Sequence, residues 1–526
     1  MKIANAVQMA EIDRRTAEEW GVSSALLMEN AGRAAAYAIA ERWPAERRLL
    51  VLCGPGNNGG DGFSIARTLK NLGYAVVCFS SADSGKYSPD AAAQRQAWLL
   101  AGGEILPLEQ LPLQLGGSDA VIDALFGTGL QRPVSGLYAE TVELLKSRSA
   151  SVAAVDMPSG VSSDTGQVLG TAPQCELTIT MGLPKPGLFI YPGKSLAGER
   201  IVAELGFPRQ LLESQNLDGE LLSVSAVREL RRSPQPWAHK GTQGCALVIG
   251  GSAWYYGAPL LAAEAVLRTG AGLCLWAAPE ELVAQRPFAF REIMVWPLPT
   301  SQGLIGMEAW AELRGGLLQR QGGISGRPLP RVTAVCVGPG LGRDPANTQL
   351  LSNIVDTVNV PLVIDADALY AIKGHILSER AVLTPHRGEM AALLDCTIAE
   401  VEGDLLAAAK EAAAKYRAVI VLKGTPTLIC CRDKYWLLDA PNPVLAQGGT
   451  GDVLAGIITA LLAQGYLPYE AAAMGVYLHS QAGKKATEQQ GPCGVLAGEI
   501  AALLPRVFAD LECQTENPPV RMTATL

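Results

Sequence analysis

The chain has 526 residues, of which 48% are hydrophobic and 18% charged, with 56 glycines and a formal net charge of −8. That length exceeds what one hydrophobic core fills, so two domains are expected, and the composition suits compact α/β units and excludes a disordered or fibrous chain. Lys and Arg are scattered among Asp and Glu without a basic stripe, which excludes nucleic acid as an expected partner.

Residues 1 to about 205 open with helical sequence and reach Glu11, Asp13, Arg14 and Arg15 too early for a signal peptide. Apolar runs then alternate with alanine-rich stretches: LLVLCG, AVVCFS, AVIDALFG and SVAAVDMPSG. This alternation predicts a parallel sheet covered by helices, with the polar loops and the ligand site at the carboxyl ends of the strands. Between Phe207 and Gly241 the pattern gives way to polar and charged residues, including Arg231-Arg232-Ser233-Pro234-Gln235-Pro236, and the domain boundary is expected there. A second α/β series follows in CALVIGG, LCLWAAP, TAVCVGPG, PLVIDADAL, AVLTPHRGE and AVIVLKGT, then an apolar helix headed by GGTGD. The two halves share no fixed-period repeat. Apolar runs such as Val453 to Ala463 are about half the roughly 20 residues that span a bilayer and read as buried helices, so no membrane partner is expected. The tail after Leu504, with Asn517-Pro518-Pro519, is expected to be loose. Eleven cysteines, with no C-x-x-C pair and with Cys430 and Cys431 adjacent, suit free thiols in a reducing compartment.

The first strand runs into GPGNNGGDG at 54–62, where six positions are Gly or Pro and the others are Asn57, Asn58 and Asp61. Such a loop lets backbone N–H groups approach a phosphate. It contains G-x-G-x-x-G at Gly54, Gly56 and Gly59, with Asp83 at about the usual distance, but a tight connecting turn explains an isolated fingerprint equally well. Asp123 and Asp156 each follow apolar strand residues. In a parallel sheet Asn58, Asp123 and Ser159 can converge at the carboxyl edge and offer oxygens to a hard cation; loop capping is the alternative for each. GLFIYPGKS at 187–195 is not a P-loop, because five residues separate its glycines and no strand feeds it.

GPGNNGGDG, DALFGTGLQRP and AVDMPSGVSSDTG, with the opening AEIDRRTAEEWGVSSALLMENAG, resemble the amino-terminal domain of bifunctional NAD(P)H-hydrate repair enzymes. The resemblance implies a Rossmann-like epimerase that interconverts the R and S hydrates of NADH and NADPH and binds potassium through Asn58, Asp123 and Ser159. It implies substrate contacts at Asn57, Asn58, Gly59, Gly60, Asp61, Gly127, Thr128, Gly129, Leu130, Gln131, Arg132, Pro133 and Asp156. Inversion at a carbon bearing hydroxyl and amine requires proton transfer, for which Asp156 is the first candidate.

GGTGD at 448–452 precedes the apolar VLAGIITALLAQG. Glycines at a buried helix N-terminus leave N–H groups and the positive end of the dipole free for phosphoryl oxygens. Asp452 is either an ordinary cap or a base that accepts a hydroxyl proton beside that anion hole. Further loops, GGSAWYYGAP, VGPGLGRD, TPHRGE and LKGTPT, supply Gly251, Gly257 and Gly340 for close approach, Lys423 for phosphate, and His386, expected in a loop.

VLKGTPT with GGTGDVLAG resembles the ribokinase-like superfamily, and YYGAP, VGPGLG and TPHRGE narrow the likeness to ADP- or ATP-dependent NAD(P)H-hydrate dehydratases. With the first domain the resemblance spans nearly the whole chain: an epimerase domain over 1–214 and a dehydratase domain over 222–508. It implies hydrate contacts at Gly257, Gly340, His386 and Asp452, nucleotide contacts at Lys423, Gly424, Thr425, Pro426, Thr427 and Gly451, magnesium on the nucleotide phosphates, a homo-oligomer, and a cytoplasmic location. Arg387 stands where the family usually has proline. In the implied reaction the ring hydroxyl is phosphorylated and the ring nitrogen's electrons expel phosphate. The rival readings are a kinase for a small alcohol, a non-catalytic dinucleotide-binding protein, and a Rossmann oxidoreductase that leaves the second half unexplained.

Overall fold

The computed structural model describes residues 1–81, 87–233, 235–285, 291–317, 323–324, 327–511 and 520–523. Asp83, Pro234 and Asn517-Pro518-Pro519 lie outside the described residues. The chain divides into one unit of 1–220 with 517–526 and another of 221–516.

In the first unit, helix α1 (Ala6–Trp20) starts at a capping box between Asn5 and Gln8 and stops at Gly21, whose φ of 69° a side chain would strain. Helix α2 (Ser24–Arg42) follows, capped by Ser23. Strand β1 (Leu49–Cys53) is buried along its length, as the run LLVLC requires when helices cover both faces. Next come α3 (Asn57–Asn71), β2 (Val76–Ser80), β3 (Ile105–Pro107), β4 (Ala120–Ala124), β5 (Ser151–Val155), β6 (Leu177–Met181) and β7 (Glu199–Ala203). These strands pair in parallel in the order β7-β6-β5-β4-β1-β2-β3. The chain therefore builds outward from β1 through β2 and β3, then from β4 the other way. The carboxyl ends of β1 and β4 flank this reversal, where open α/β sheets leave a crevice. All the strand runs expected here are strands; β6, β7 and the short β3 are additions.

The C-terminal segment departs from expectation. A helix continues over Ala497–Asp510, and Arg521–Met522 pairs in parallel with β7 as an edge strand of the first unit's sheet. The apolar face of that helix, with Ile500, Ala501, Leu504 and Val507 buried, and the free edge of β7 supply the pairing that a loose tail would lack.

The second unit repeats the logic. Strand β8 (Cys245–Ile249), helix α4 (Gly257–Arg268), and strands β9 (Leu273–Pro279), β10 (Met294–Leu298), β11 (Ala334–Val337), β12 (Leu362–Ile364) and β13 (Ala381–Leu383) lead to helix α5 (Arg387–Leu394). Strand β14 (Val419–Leu422) precedes β15 (Thr427–Cys431) and β16 (Lys434–Leu438), which add antiparallel, an arrangement absent from the sequence reading. The order β16-β15-β14-β13-β12-β11-β8-β9-β10 reverses between β8 and β11. Helix α6 (Thr450–Ala463) is buried nearly throughout against α4 and α7 (Pro468–Gln490), as its unbroken apolar sequence requires. Among the described residues no helix is long and apolar enough to cross a membrane, and the cysteines are free.

Candidate functional sites at the two sheet reversals

At the first reversal the glycine loop does more packing than ligand approach. A Cβ on Gly54 would lie 2.0 Å from the Leu125 carbonyl oxygen, and one on Gly59 would lie 1.9 Å from that of Gly54. Gly60 is closed by Met28 and Ala91. These glycines let β1, β4 and α3 close on one another, which corrects the reading of Gly54 and Gly59 as openings for phosphate. Gly56 and Gly129 do face open space.

Asp123, at the end of β4, is fully buried. Its Oδ1 accepts the Ser159 hydroxyl at 2.7 Å and its Oδ2 the Ser159 amide at 2.9 Å. Burial pushes the Asp123 carboxyl up, against the bonds from Ser159 and Leu125. The Ser159 Oγ also accepts the Phe126 amide at 2.9 Å, so capping and convergence occur together. Asn58 approaches the same loop: its Oδ1 would stand 3.2 Å from a Cβ on Gly127, and both of its side-chain polar atoms are buried without a hydrogen-bond partner. A buried amide oxygen without a donor next to Gly127, and a buried carboxylate bonded to a hydroxyl at Phe126 of the same loop, are oxygen types that suit a hard cation.

Asp156, just past β5, has φ 68°, a conformation rare outside glycine. Its Oδ1 accepts Lys185 Nζ at 2.6 Å, and Lys185, only 1% exposed, also donates to Thr180 Oγ1 at 3.1 Å and the Met181 carbonyl at 2.8 Å. The Asp156 Oδ2 accepts the Thr128 amide at 3.1 Å, tying the 127–133 loop to the sheet. Burial raises the carboxyl's proton affinity, but the Lys185 charge and hydrogen bond outweigh it and hold Asp156 below its usual range. Asn57, Asn58, Asp61, Gly127, Thr128, Gly129, Leu130, Gln131, Arg132 and Asp156 line one cavity of 860 Å³, joined by Asp13 of α1 and by Lys185. Gly59, Gly60 and Pro133 do not face it. Sequence reasoning passed over Lys185 and Asp13; a lone lysine in MGLPKPG and an acid on an amphipathic helix carry no local signal.

At the second reversal, a Cβ on Gly250 would strike the Pro339 carbonyl oxygen at 2.2 Å, and one on Gly340 that of Tyr255 at 2.2 Å. Gly340 is thus set by the Tyr255 backbone, whereas Gly257, at the start of α4, faces open space. Ser252, between Gly250 and Gly257 in sequence, has a buried hydroxyl without a partner. Asp452 sits in the first turn of α6, behind Gly449 with φ 93°. Burial, with the Asp365 charge, pushes its carboxyl up to about 7, against the pull of Lys423. Lys423 Nζ donates to Asp365 Oδ1 at 2.9 Å and lies 3.7 Å from Glu389. Burial opposes the lysine's charge, but these two carboxylates hold it above its usual range. A Cβ on Gly451 would stand 3.4 Å from the same Nζ.

His386 is a helix cap. Its Nδ1 accepts the Gly388 and Glu389 amides at 3.0 and 3.2 Å, and Glu389 returns a bond to its backbone, completing a capping box at α5. His386 thus lies in the loop between β13 and α5, as expected, and its ring is exposed. A second cavity of 190 Å³ is lined by Lys423, Gly424, Thr425, Thr427 and Gly451, but not Pro426, and also by His479 of α7. Burial pushes His479 down to about 4, and its Nε2 lacks a partner. Asp365 was legible in principle: PLVIDADAL places it after an apolar strand, the signature that picked out Asp123 and Asp156.

Residues 246–506 match the sequence family described as NAD(P)H-hydrate dehydratase, and residues 24–187 that described as YjeF-related protein N-terminus. The chain is 37% identical over 533 residues to the bifunctional NAD(P)H-hydrate repair enzyme Nnr of Moorella thermoacetica, covering 98% of each chain. It is 34% identical over 498 residues to that of Escherichia coli, covering 94% of this chain and 92% of the relative. Among solved structures, the ADP/ATP-dependent NAD(P)H-hydrate dehydratase of Bacillus subtilis, co-crystallised with ATP and Mg2+, is 29% identical, with 55% of this chain and 98% of that chain covered and a TM-score of 0.48.

Proposed function

The chain belongs to the family of bifunctional NAD(P)H-hydrate repair enzymes, and from that premise we propose that its first unit epimerises hydrated NADH and NADPH and its second dehydrates the S hydrate at the expense of ADP or ATP. The epimerase domain spans 1–214 and the dehydratase domain 222–508.

In the dehydratase, Asp452 accepts the proton of the ring hydroxyl as it is phosphorylated; phosphorylation converts a poor leaving group into one that the ring nitrogen can expel. The observation that carries this reading is the place of Asp452 in the first turn of a buried helix that opens at Gly449, within the field of Lys423, where burial pushes its carboxyl up to about 7. Gly257, Gly340 and His386 complete the hydrate site, while Lys423, Gly424, Thr425, Thr427 and Gly451 hold the nucleotide, with Pro426 in the same loop. Magnesium bound to the nucleotide phosphates would neutralise their charge.

In the epimerase, Asn57, Asn58, Asp61 and the loop from Gly127 to Arg132 hold the hydrate, with Gly59 and Gly60 packed behind them, and the acidic cluster around Asp156 handles the proton. Asn58, Asp123 and Ser159 would hold potassium, which would supply a fixed positive charge; the unpartnered Asn58 amide supports that assignment. The protein acts in the cytoplasm as a homo-oligomer, without nucleic-acid or membrane partners.

The test incubates the full chain with magnesium, potassium and mixed hydrate epimers, adding ADP or ATP separately, and follows reduced-dinucleotide absorbance with released phosphate. Complete regeneration with one donor supports both activities. No regeneration with either sinks the dehydratase, and a phosphorylated alcohol in its place brings the kinase reading forward.

A further inference from the structure

The cavity of the first unit carries more ionisable groups than substrate binding needs, and their partners divide them into two kinds. Asp156 is committed to the protein: its Oδ1 accepts Lys185, Thr180 and the Met181 amide, and its Oδ2 accepts the Thr128 amide, which leaves one lone pair on Oδ2. Lys185 is saturated, its three N–H bonds going to Asp156, Thr180 and the Met181 carbonyl. The pair is held in place and in its charged form by these partners. Asp61, on the first turns of α3, and Asp13, on α1, line the same cavity, and neither carboxyl has a hydrogen-bond partner among the described residues.

We propose that the proton exchanged during epimerisation is carried by Asp61 together with Asp13, while Asp156 and Lys185 are positioning residues that lock the 127–133 loop to the sheet. This rests on the epimerase reading above. The substrate carbon bears a hydroxyl and the ring nitrogen. A carboxylate takes the hydroxyl proton, the O–H electrons form C=O, and the C–N bond breaks with its electrons going to nitrogen, which takes a proton from the second carboxyl. Rotation about the adjacent C–C bond presents the other face of the aldehyde, and the reverse steps close the ring with inversion. Each proton removed is returned, so no co-reactant enters. The chemistry needs one carboxyl ionised and one protonated, which two like-charged groups facing one cavity provide.

Electrostatics agrees with this division. Burial, reinforced by the charges of Asp156 and Asp13, pushes Asp61 well up; Asp13 keeps exposed surface on the cavity wall, and the protein packed around it still pushes its carboxyl to about 6, with Lys185 opposing and Asp156 adding. Asp90 and Arg132 face the same space.

The experiment measures R/S interconversion of hydrated NADH by the full chain, with no nucleotide, for wild type, Asp61→Asn, Asp13→Asn and Asp156→Asn. Asp61→Asn should lower kcat by about 100-fold or more with KM little changed. Asp13→Asn should also lower kcat, by about 10-fold or more, because the second carboxyl is lost, and the activity that remains should show its acid limb at lower pH, because removing a neighbouring negative charge makes Asp61 easier to ionise; a purely structural role would not move that limb, and an Asp13→Asn protein with unchanged kcat and pH profile overturns its part in the inference. Asp156→Asn should act mainly on KM and thermal stability. An Asp61→Asn protein that keeps kcat within about threefold, or an Asp156→Asn protein that loses more kcat than Asp61→Asn, overturns the inference while leaving the epimerase reading standing. A wild-type chain that does not interconvert the epimers overturns the reading itself.

Discussion

Replacing Lys185 with methionine would remove an ammonium while keeping most of its apolar stem. Asp156 would stay buried, with the Met181 and Thr128 amides as donors but no cation. Removing one partner from a buried ion pair costs about 3–5 kcal/mol, because the remaining charge is uncompensated. That is the destabilisation expected of the first unit at neutral pH. In the native protein Asp156 is held below its ordinary value, so its contribution is present above the unfolded value and lost as pH falls through the native one. In Lys185→Met, burial acts without the opposing cation and the carboxyl should rise above its ordinary value. The penalty is then present above that raised value and relieved as pH falls through it, so the gap between the two proteins narrows in acid. Hydrogen exchange at the amides of Leu177–Met181 at neutral and mildly acidic pH measures the opening free energy where the pair sits. A loss under about 1 kcal/mol at neutral pH, or a difference independent of pH, would refute the reasoning. Adding Asp156→Asn should recover much of the loss, since it removes the uncompensated charge.

Asp452→Asn is expected to slow dehydration by about 100-fold or more while leaving R/S interconversion unchanged. In wild type, kcat/KM for dehydration should decline as pH drops below about 7. Because the folded carboxyl lies above its unfolded value, its contribution to stability is lost as pH rises through about 7, so Asp452→Asn should gain relative stability in thermal melts above neutrality. Gly59→Ala would place a Cβ 1.9 Å from the Gly54 carbonyl oxygen. A loss of about 1–3 kcal/mol in denaturant titration is expected, and an unchanged midpoint would show that the loop moves freely. Asn58→Leu should abolish any potassium-dependent thermal stabilisation of the chain; stabilisation that persists would place the ion elsewhere.

Much of the fold was legible because strand and helix patterns are local. Runs such as LLVLCG and CALVIGG announce buried parallel strands, and VLAGIITALLAQG a buried helix, from consecutive residues alone. The antiparallel β15 and β16 and the C-terminal strand escaped because edge pairing depends on which strand end lies free in space. The candidate sites divided in the same way. Strand-ending aspartates and glycine-rich turns stand out along the chain, so Asp123, Asp156, Asp452 and the 54–62 loop were found. Lys185, Asp13 and His479 lie on segments whose sequence says nothing about what they face.

Sequence by itself determined the two α/β units, the loops that carry their chemistry and the residue types available there. Tertiary structure decided what each residue is free to do. Hydrogen-bond saturation, backbone collision and charge pairing are set by groups far apart in the chain. They make Asp156 a buried strut, make Gly54 and Gly59 packing contacts, and make His386 a cap, while Asp13 and Asp61 are left unpartnered on the cavity wall.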